Sequence, residues 1–356
     1  MAGAGGGALE VAIVSFATTA CDRITETETQ MLFPVVAEAI ERSGVAREEI
    51  GFTCSGSADY LTGASFAFVS LLEARGAWPP ISESHVEMDG AWAMYEAWVR
   101  LQHGDVDTAL VYASGVTSRC DLREVLTLQT DPYYLAPLGF DNVSAAALQA
   151  RAYLDASGRS EADLAEVAAR SRRDAASNPN AQVRDDADAD TLLREPYVVA
   201  PLRAHDCPPI SDGAAAAVLV AGDKARDLCE RPAWIRGIAH RVEAHYPGVR
   251  YLSRSESARL AAAAAGVGDA AVEVAELSAA FSHEELMLRE ALGLDDCVQV
   301  NPSGGALASN PVMATGLIRV GEAFRQVNER GRNRVLAHAA SGPCLQQNLV
   351  CVLEGD

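Results

Sequence analysis

The chain has 356 residues, with 49 acidic against 29 basic side chains, a formal charge of −20, 49% hydrophobic residues and 6% aromatic ones. That hydrophobic fraction excludes a disordered chain, and the acidic balance argues against a nucleic-acid or anionic-membrane surface, which needs clustered lysine and arginine. No apolar run approaches the roughly 18–20 residues that span a bilayer, and the opening MAGAGGGALE lacks the basic and apolar regions of a signal peptide.

We therefore expect a cytoplasmic globular protein of one large or two ordinary domains, with a frayed N-terminal tail. The eight cysteines, at 21, 54, 120, 207, 229, 297, 344 and 351, form no CxxC, and the seven histidines form no HExxH. No metal site is expected, and most thiols are expected in the core of a protein from a reducing compartment.

Taken in chain order, residues 9–16 (LEVAIVSF) read as a strand. Apolar residues at Met31, Leu32, Val35, Val36 and Ile40 give a helix that Gly44 closes. Residues 50–55 predict a strand and 64–75 a helix. His85-Val86-Glu87-Met88 leads into a helical stretch from Asp89 to Gln102, and 107–114 is a further strand. This alternation implies a mostly parallel sheet covered by helices. Residues 119–200 break the pattern with polar, turn-rich sequence, one amphipathic helix opened by Ser160, and an acidic loop at 185–190. They read as an insertion before a strand at 213–220.

A second series follows: strand 233–242, helix 255–265, strand 271–277, helix 282–292, strand 297–301, helix 311–328, and strands 334–340 and 347–353. Both series run βαβαβαββ. The shared order predicts two similar halves, 1–222 with the insertion and 230–356, related by a pseudo-twofold.

Four segments carry a family resemblance. HDCPPISDGAAAAVL (205–219), NPNAQVRD (178–185), ELSAAFSHEELMLREALGL (276–294) and VNPSGGALASNPVMATG (300–316) resemble, in order, motifs of the thiolase superfamily, in particular its sterol-carrier-protein type. The resemblance covers nearly the whole chain. It implies an α/β thiolase fold: two βαβαβαββ halves in a five-layer α-β-α-β-α arrangement, with an inserted loop domain. It also implies work on acyl-coenzyme A thioesters, with coenzyme A arriving as part of the substrate and no tightly bound cofactor, and a homodimer whose edge strand is 107–114.

The family's catalytic residues do not carry over. The turn that holds the nucleophilic cysteine reads Glu87-Met88-Asp89-Gly90-Ala91, the His-Asp-Cys-Phe segment reads Ser278-Ala279-Ala280-Phe281, and Gly-His-Pro reads Ser309-Asn310-Pro311. Thiolytic chemistry needs a thiol and a histidine to activate it. What survives resembles the actinobacterial branch of lipid-transfer proteins and steroid-side-chain aldolases. The resemblance then implies retro-aldol cleavage of a β-hydroxyacyl-CoA sterol or steroid side chain, which needs a base and donors for an enolate oxygen but no acyl-enzyme. It also implies a hetero-complex with an OB-fold, zinc-ribbon protein and a hydratase. A non-catalytic subunit of an acyl-CoA complex and a lipid or acyl-CoA carrier are the alternatives.

Each candidate residue has a functional and a plain reading. Asp89 is an acid/base group or a helix N-cap, where the dipole would lower its pKa. Asn310 is an oxyanion donor or an N-cap before Pro311. His283 is a base or a solvent-exposed helix-start histidine. Tyr246, in HYPGVRYLSR, is an acid/base group or a packing residue. Cys344 is a substitute nucleophile, for which no histidine is assured within reach, or one of the core thiols. Arg250 and Arg254 could meet coenzyme A phosphates or simply be solvated. Gly304, Gly305 and Gly342 would let the backbone approach a ligand closely.

Overall fold

The computed structural model describes residues 9–63 and 65–356. The expected frayed tail and the first residue of the 64–75 helix fall outside them. The N-terminal half runs β1 (Val11–Cys21), α1 (Glu28–Ser43), β2 (Phe52–Gly56), α2 (Asp59–Thr62), α3 (Phe68–Arg75), β3 (Glu83–Val86), α4 (Gly90–Gln102) and β4 (Thr108–Val116). The insertion follows with α5 (Leu122–Thr127), α6 (Asn142–Ser157), α7 (Glu161–Asp174), α8 (Ala189–Leu192) and a hairpin of β5 (Tyr197–Val199) and β6 (Leu202–Arg203). The half closes with β7 (Asp212–Ala221) and α9 (Lys224–Leu228). The C-terminal half runs β8 (Ala233–Val242), α10 (Glu256–Ala264), β9 (Val274–Leu277), α11 (Ser282–Ala291), β10 (Gln299–Val300), α12 (Gly305–Ala308), α13 (Thr315–Asn328), β11 (Arg334–Ser341) and β12 (Gln347–Glu354).

Local chemistry sets several of these boundaries. Thr27 and Gln30 form a reciprocal capping box at the start of α1, and Gly44 ends it in the left-handed conformation at φ 68°. The acidic stretch read as a loop ends in α8, because Asp188 accepts from the Thr191 amide at 2.8 Å as its N-cap. The strand expected at 297–301 shrinks to two residues. The helix expected from 311 starts only at Thr315, so residues 309–314 are free to form a loop.

The strand order is β10-β9-β11-β12-β8-β1-β7-β4-β2-β3. Each half contributes five strands, and the two sets of strands meet through the pairs Ala12 with Trp234 and Ile13 with Ala233 of β1 and β8. Both sheets turn one face to the same two helices. Ile13, Ala113 and Ala217 from one half and Val335, Ala337 and Cys351 from the other share a core with Ala91 and Met94 of α4 and Leu317 and Val320 of α13. The outer face of the first sheet is covered by α1 and α3, through Val35 and Leu71. That of the second is covered by α10, α11 and the inserted α6 and α7, through Ala258, Leu288, Tyr153 and Leu164. The result is the five-layer arrangement. In β7 the run Ala214 to Ala217 alternates between the outer and central cores, so small residues lie on both faces.

One expectation is corrected. Strand 107–114 is not an edge, since β4 lies between β2 and β7 and pairs with both. The free edge of this half is β3, which pairs only with β2.

The central helices approach the sheets closely at glycines. A Cβ on Gly90 would lie 2.6 Å from Ala113 Cβ, and one on Gly316 would lie 2.6 Å from Ala339 Cβ and collide with the Asp89 carboxylate. A Cβ on Gly115 would collide with the Val312 carbonyl, so this glycine lets the 309–314 loop cross the end of β4. Gly316→Ala should therefore cost about 1–3 kcal/mol of overpacking. We expect a lower urea midpoint for it, and no change for Gly268→Ala, whose Cβ would meet nothing within 4 Å.

Candidate active site

Strands β2, β3 and β4 are mutually parallel, as are β9, β10 and β11. Loops at the carboxyl ends of parallel strands are where α/β folds gather ligands. Here they enclose a cavity of about 480 Å3. Met88 and Asp89 after β3, Ser278, Ala280 and Phe281 after β9, and Ser341 to Leu345 at the end of β11 line it, together with Asn310, Val312, Met313, Thr315 and Cys207 to Ile210. The insertion supplies an apolar wall from Leu122, Leu126, Phe140 and Val143.

Asp89 is the N-cap of α4, and it is more than that. Its Oδ1 accepts from the Ala91 amide at 2.8 Å and the Leu317 amide at 3.1 Å, and its Oδ2 from the Gly316 amide at 2.8 Å. One carboxylate thus satisfies the N-termini of both central helices. The Gly90 amide donates to the Met313 carbonyl at 2.8 Å and tightens the same junction. The expected lowering of its pKa does not occur. Burial raises it to about 6 against the opposing effect of the three amides. With both oxygens occupied, Asp89 is a poor candidate for proton transfer.

Asn310 lines the cavity and is not a helix cap, because α13 begins five residues later. Its Oδ1 lies 2.8 Å from the Thr315 hydroxyl. Its Nδ2 has no hydrogen-bond partner among the described residues and is left to donate into the cavity. Its backbone amide donates to Ser211 Oγ at 2.9 Å, and Ser211 in turn donates to Gln182. The NPNAQVRD and SDG segments therefore brace the loop that carries Asn310.

Cys344 lines the cavity, yet its thiol donates to the Ala145 carbonyl at 3.3 Å, and burial pushes its pKa up to about 12. Cys207, the other cavity thiol, is held up to about 12 in the same way. Neither is a thiolate near neutral pH. Gly342 borders the cavity at φ 73°.

The remaining expected residues lie elsewhere. His283 is fully buried, not exposed, with Nε2 3.1 Å from Gln149 Oε1, and desolvation lowers its pKa to about 3. It does not line the cavity. Tyr246 is 42% exposed, and its neighbour His245 is the one that borders the cavity. Arg250 donates to the Pro343 and Cys344 carbonyls at 2.9 and 3.1 Å, so it holds the loop after β11. Arg254 is exposed and lies over the Tyr251 ring at 4.4 Å. Gly304 and Gly305 form a buried turn under α7, where Ser171 donates to the Gly304 carbonyl at 2.6 Å. Arg319, paired with Glu276 at 3.0 Å, also donates to Ser303 in that turn.

Sequence reading missed Glu284 and Tyr60, which both line the cavity. Glu284 has Oε2 bonded to the Ala280 and Phe281 amides at 2.8 and 3.1 Å, and burial lifts its pKa to about 7. Its position, three residues after Phe281 at a helix start, was the available signal. Among the described residues no group of three or more His, Cys, Asp or Glu could hold a metal. No helix among them is long and apolar enough to cross a membrane.

No protein-family model matches the chain. It is 27% identical to an acetyl-CoA acetyltransferase of Methanothermobacter thermautotrophicus, over 75% of this chain and 77% of that one. It is 26% identical to sterol carrier protein 2 of Rattus norvegicus, over 55% of this chain and 41% of that protein. Its fold superposes on an Ltp2–ChsH2(DUF35) aldolase with a TM-score of 0.82 at 20% identity, over 98% of both chains. The layers, the strand order and the place of the cavity define a thiolase-fold protein. Its sequence relatives make it similar to thiolase-superfamily proteins, sterol carrier protein 2 among them, with an aspartate where the resemblance expects the nucleophilic cysteine.

Removing the Asp89 carboxylate should orphan three amides at once. Asp89→Ala is expected to lose roughly 2–4 kcal/mol of stability, more than a single cap. The folded pKa is raised above the unfolded value, so the group's contribution is complete below about 3.8 and is lost as pH rises through about 6. The stability difference between the wild type and Asp89→Asn, read by urea unfolding, should narrow from pH 4 to pH 7.

Proposed function

We propose that the chain is an acyl-CoA carbon–carbon lyase that cleaves a β-hydroxyacyl-CoA by a retro-aldol reaction, with a sterol or steroid side chain as the acyl group. One observation carries this reading: the cavity pairs no activated thiol with a histidine, yet it keeps an uncommitted amide donor at Asn310. A covalent acyl-enzyme has no thiolate to form on here, whereas a thioester enolate has a donor for its oxygen. Asn310 Nδ2 would hold that oxygen. The apolar wall of Leu122, Leu126, Phe140 and Val143 suits a bulky hydrocarbon acyl group. Coenzyme A enters as part of the substrate, and the reaction needs no resident cofactor.

The chain would work as a homodimer, since β3 leaves an open strand edge and Phe66, Val69 and Trp78 are exposed on the same half. The fold neighbour named as an Ltp2–ChsH2(DUF35) aldolase supports a further hetero-complex, with an OB-fold, zinc-ribbon protein and a hydratase as the expected partners.

Incubation with a β-hydroxy steroid-side-chain CoA thioester should release a ketone or aldehyde and a short acyl-CoA, with no acyl adduct on any cysteine by mass spectrometry. An adduct on Cys344 would overturn the mechanism, and binding without turnover would leave a non-catalytic subunit or carrier. Asn310→Ala should lower kcat roughly 100–1,000-fold while changing thioester affinity little. Light scattering should give twice the 37.6 kDa chain mass at micromolar concentration; a monomer would refute the dimer.

A further inference from the structure

Retro-aldol cleavage moves one proton twice: off the β-hydroxyl, then onto the α-carbon of the enolate. The group that carries it must reach into the cavity with an uncommitted atom. Asp89 is excluded because backbone amides occupy both its oxygens. His283 lies outside the cavity wall and bonds Gln149. Cys207 and Cys344 donate their protons to backbone carbonyls.

Glu284 differs from all of these. It is the third residue of α11, and its Oε2 reaches back to the Ala280 and Phe281 amides. An ordinary capping carboxylate of this kind stands in solvent. This one is 6% exposed and lines the cavity with Ser278, Asn310 and Cys344. Its Oε1 has no hydrogen-bond partner among the described residues. One oxygen is therefore anchored and the other is available.

Resting on the retro-aldol reading, we propose that Glu284 is the proton-transfer group of the reaction, acting first as base toward the β-hydroxyl and then as acid toward the α-carbon. The O–H electron pair becomes the second bond of the new carbonyl. The electron pair of the bond between the α- and β-carbons becomes the enolate, held at its oxygen by Asn310. The carboxyl then returns the same proton to the α-carbon. Nothing is oxidised or reduced, and no co-reactant is consumed. Burial keeps this carboxyl at about 7, so both protonation states are accessible near neutral pH.

The second half of the sequence can be run backwards without the steroid. In D2O the wild type should exchange the α-protons of propionyl-CoA, read by mass spectrometry. Glu284→Gln can still accept the two amide hydrogen bonds through its carbonyl oxygen, but it cannot carry a proton. It should bind the thioester as the wild type does and lose exchange and cleavage together, by roughly 100-fold or more. Exchange by Glu284→Gln at the wild-type rate, alongside intact cleavage, would overturn the role of Glu284 and leave the lyase reading standing. A wild type that neither exchanges nor cleaves would remove both. If Glu284→Gln does not fold, the wild-type rate profile decides. A limb rising with pH through about 7 supports the proposal, and a flat profile overturns it.

Discussion

The Asp89 carboxylate is the tie on which the central layer depends. Two buried helices begin at nearly the same point, and their unsatisfied amides would otherwise face each other across a dry junction. One carboxyl group between them accepts from the amides of Ala91, Gly316 and Leu317. The arrangement repeats across the pseudo-twofold. Gly90 packs on Ala113 of β4, and Gly316 packs on Ala339 of β11. Each helix start is pressed against its own sheet by a residue without a side chain, and Asp89 joins the two. Because both sheets rest on these helices, their spacing follows from that junction.

The same junction bears on what the cavity can do. A helix N-terminus favours an anion, whether a thiolate or a carboxylate. With a carboxylate built in at 89, the electropositive end of α4 is used up in holding the fold together. Asn310 before α13 and Glu284 in α11, both on the second half, each keep an uncommitted polar atom beside the cavity. The two thiols that remain are anchored to backbone carbonyls and stay protonated.

The sequence showed the order of layers because the apolar runs are long and bounded. GAAAAVLV and AWIRGIAHRV are strands close to the limits read from them. Of the sequence's site candidates, Asp89 and Asn310, at positions of the family's motifs, line the cavity, as do Gly342 and Cys344 near the C-terminus. Residues whose role depends on the partner across the fold were not legible. Arg250 looks like a phosphate ligand until the Pro343 and Cys344 carbonyls occupy it, and His283 looks solvent-facing until Gln149 covers it. Glu284 was hidden for the opposite reason. A glutamate in the first turn of a helix is ordinary, and only the cavity beside it makes it unusual.

The place of β7 bears on how the chain is made. It lies between β1 and β4 and pairs Cys21 with Asp212, so the first half stays open until the whole insertion has been synthesised. Until then β1 and β4 present apolar edges with no neighbour between them, a condition that favours association with other chains over folding. The alanines of β7 close that gap on both faces in one step. The gap in the sheet therefore stays open through roughly a hundred residues of synthesis, and the half is completed only by a segment far along the chain.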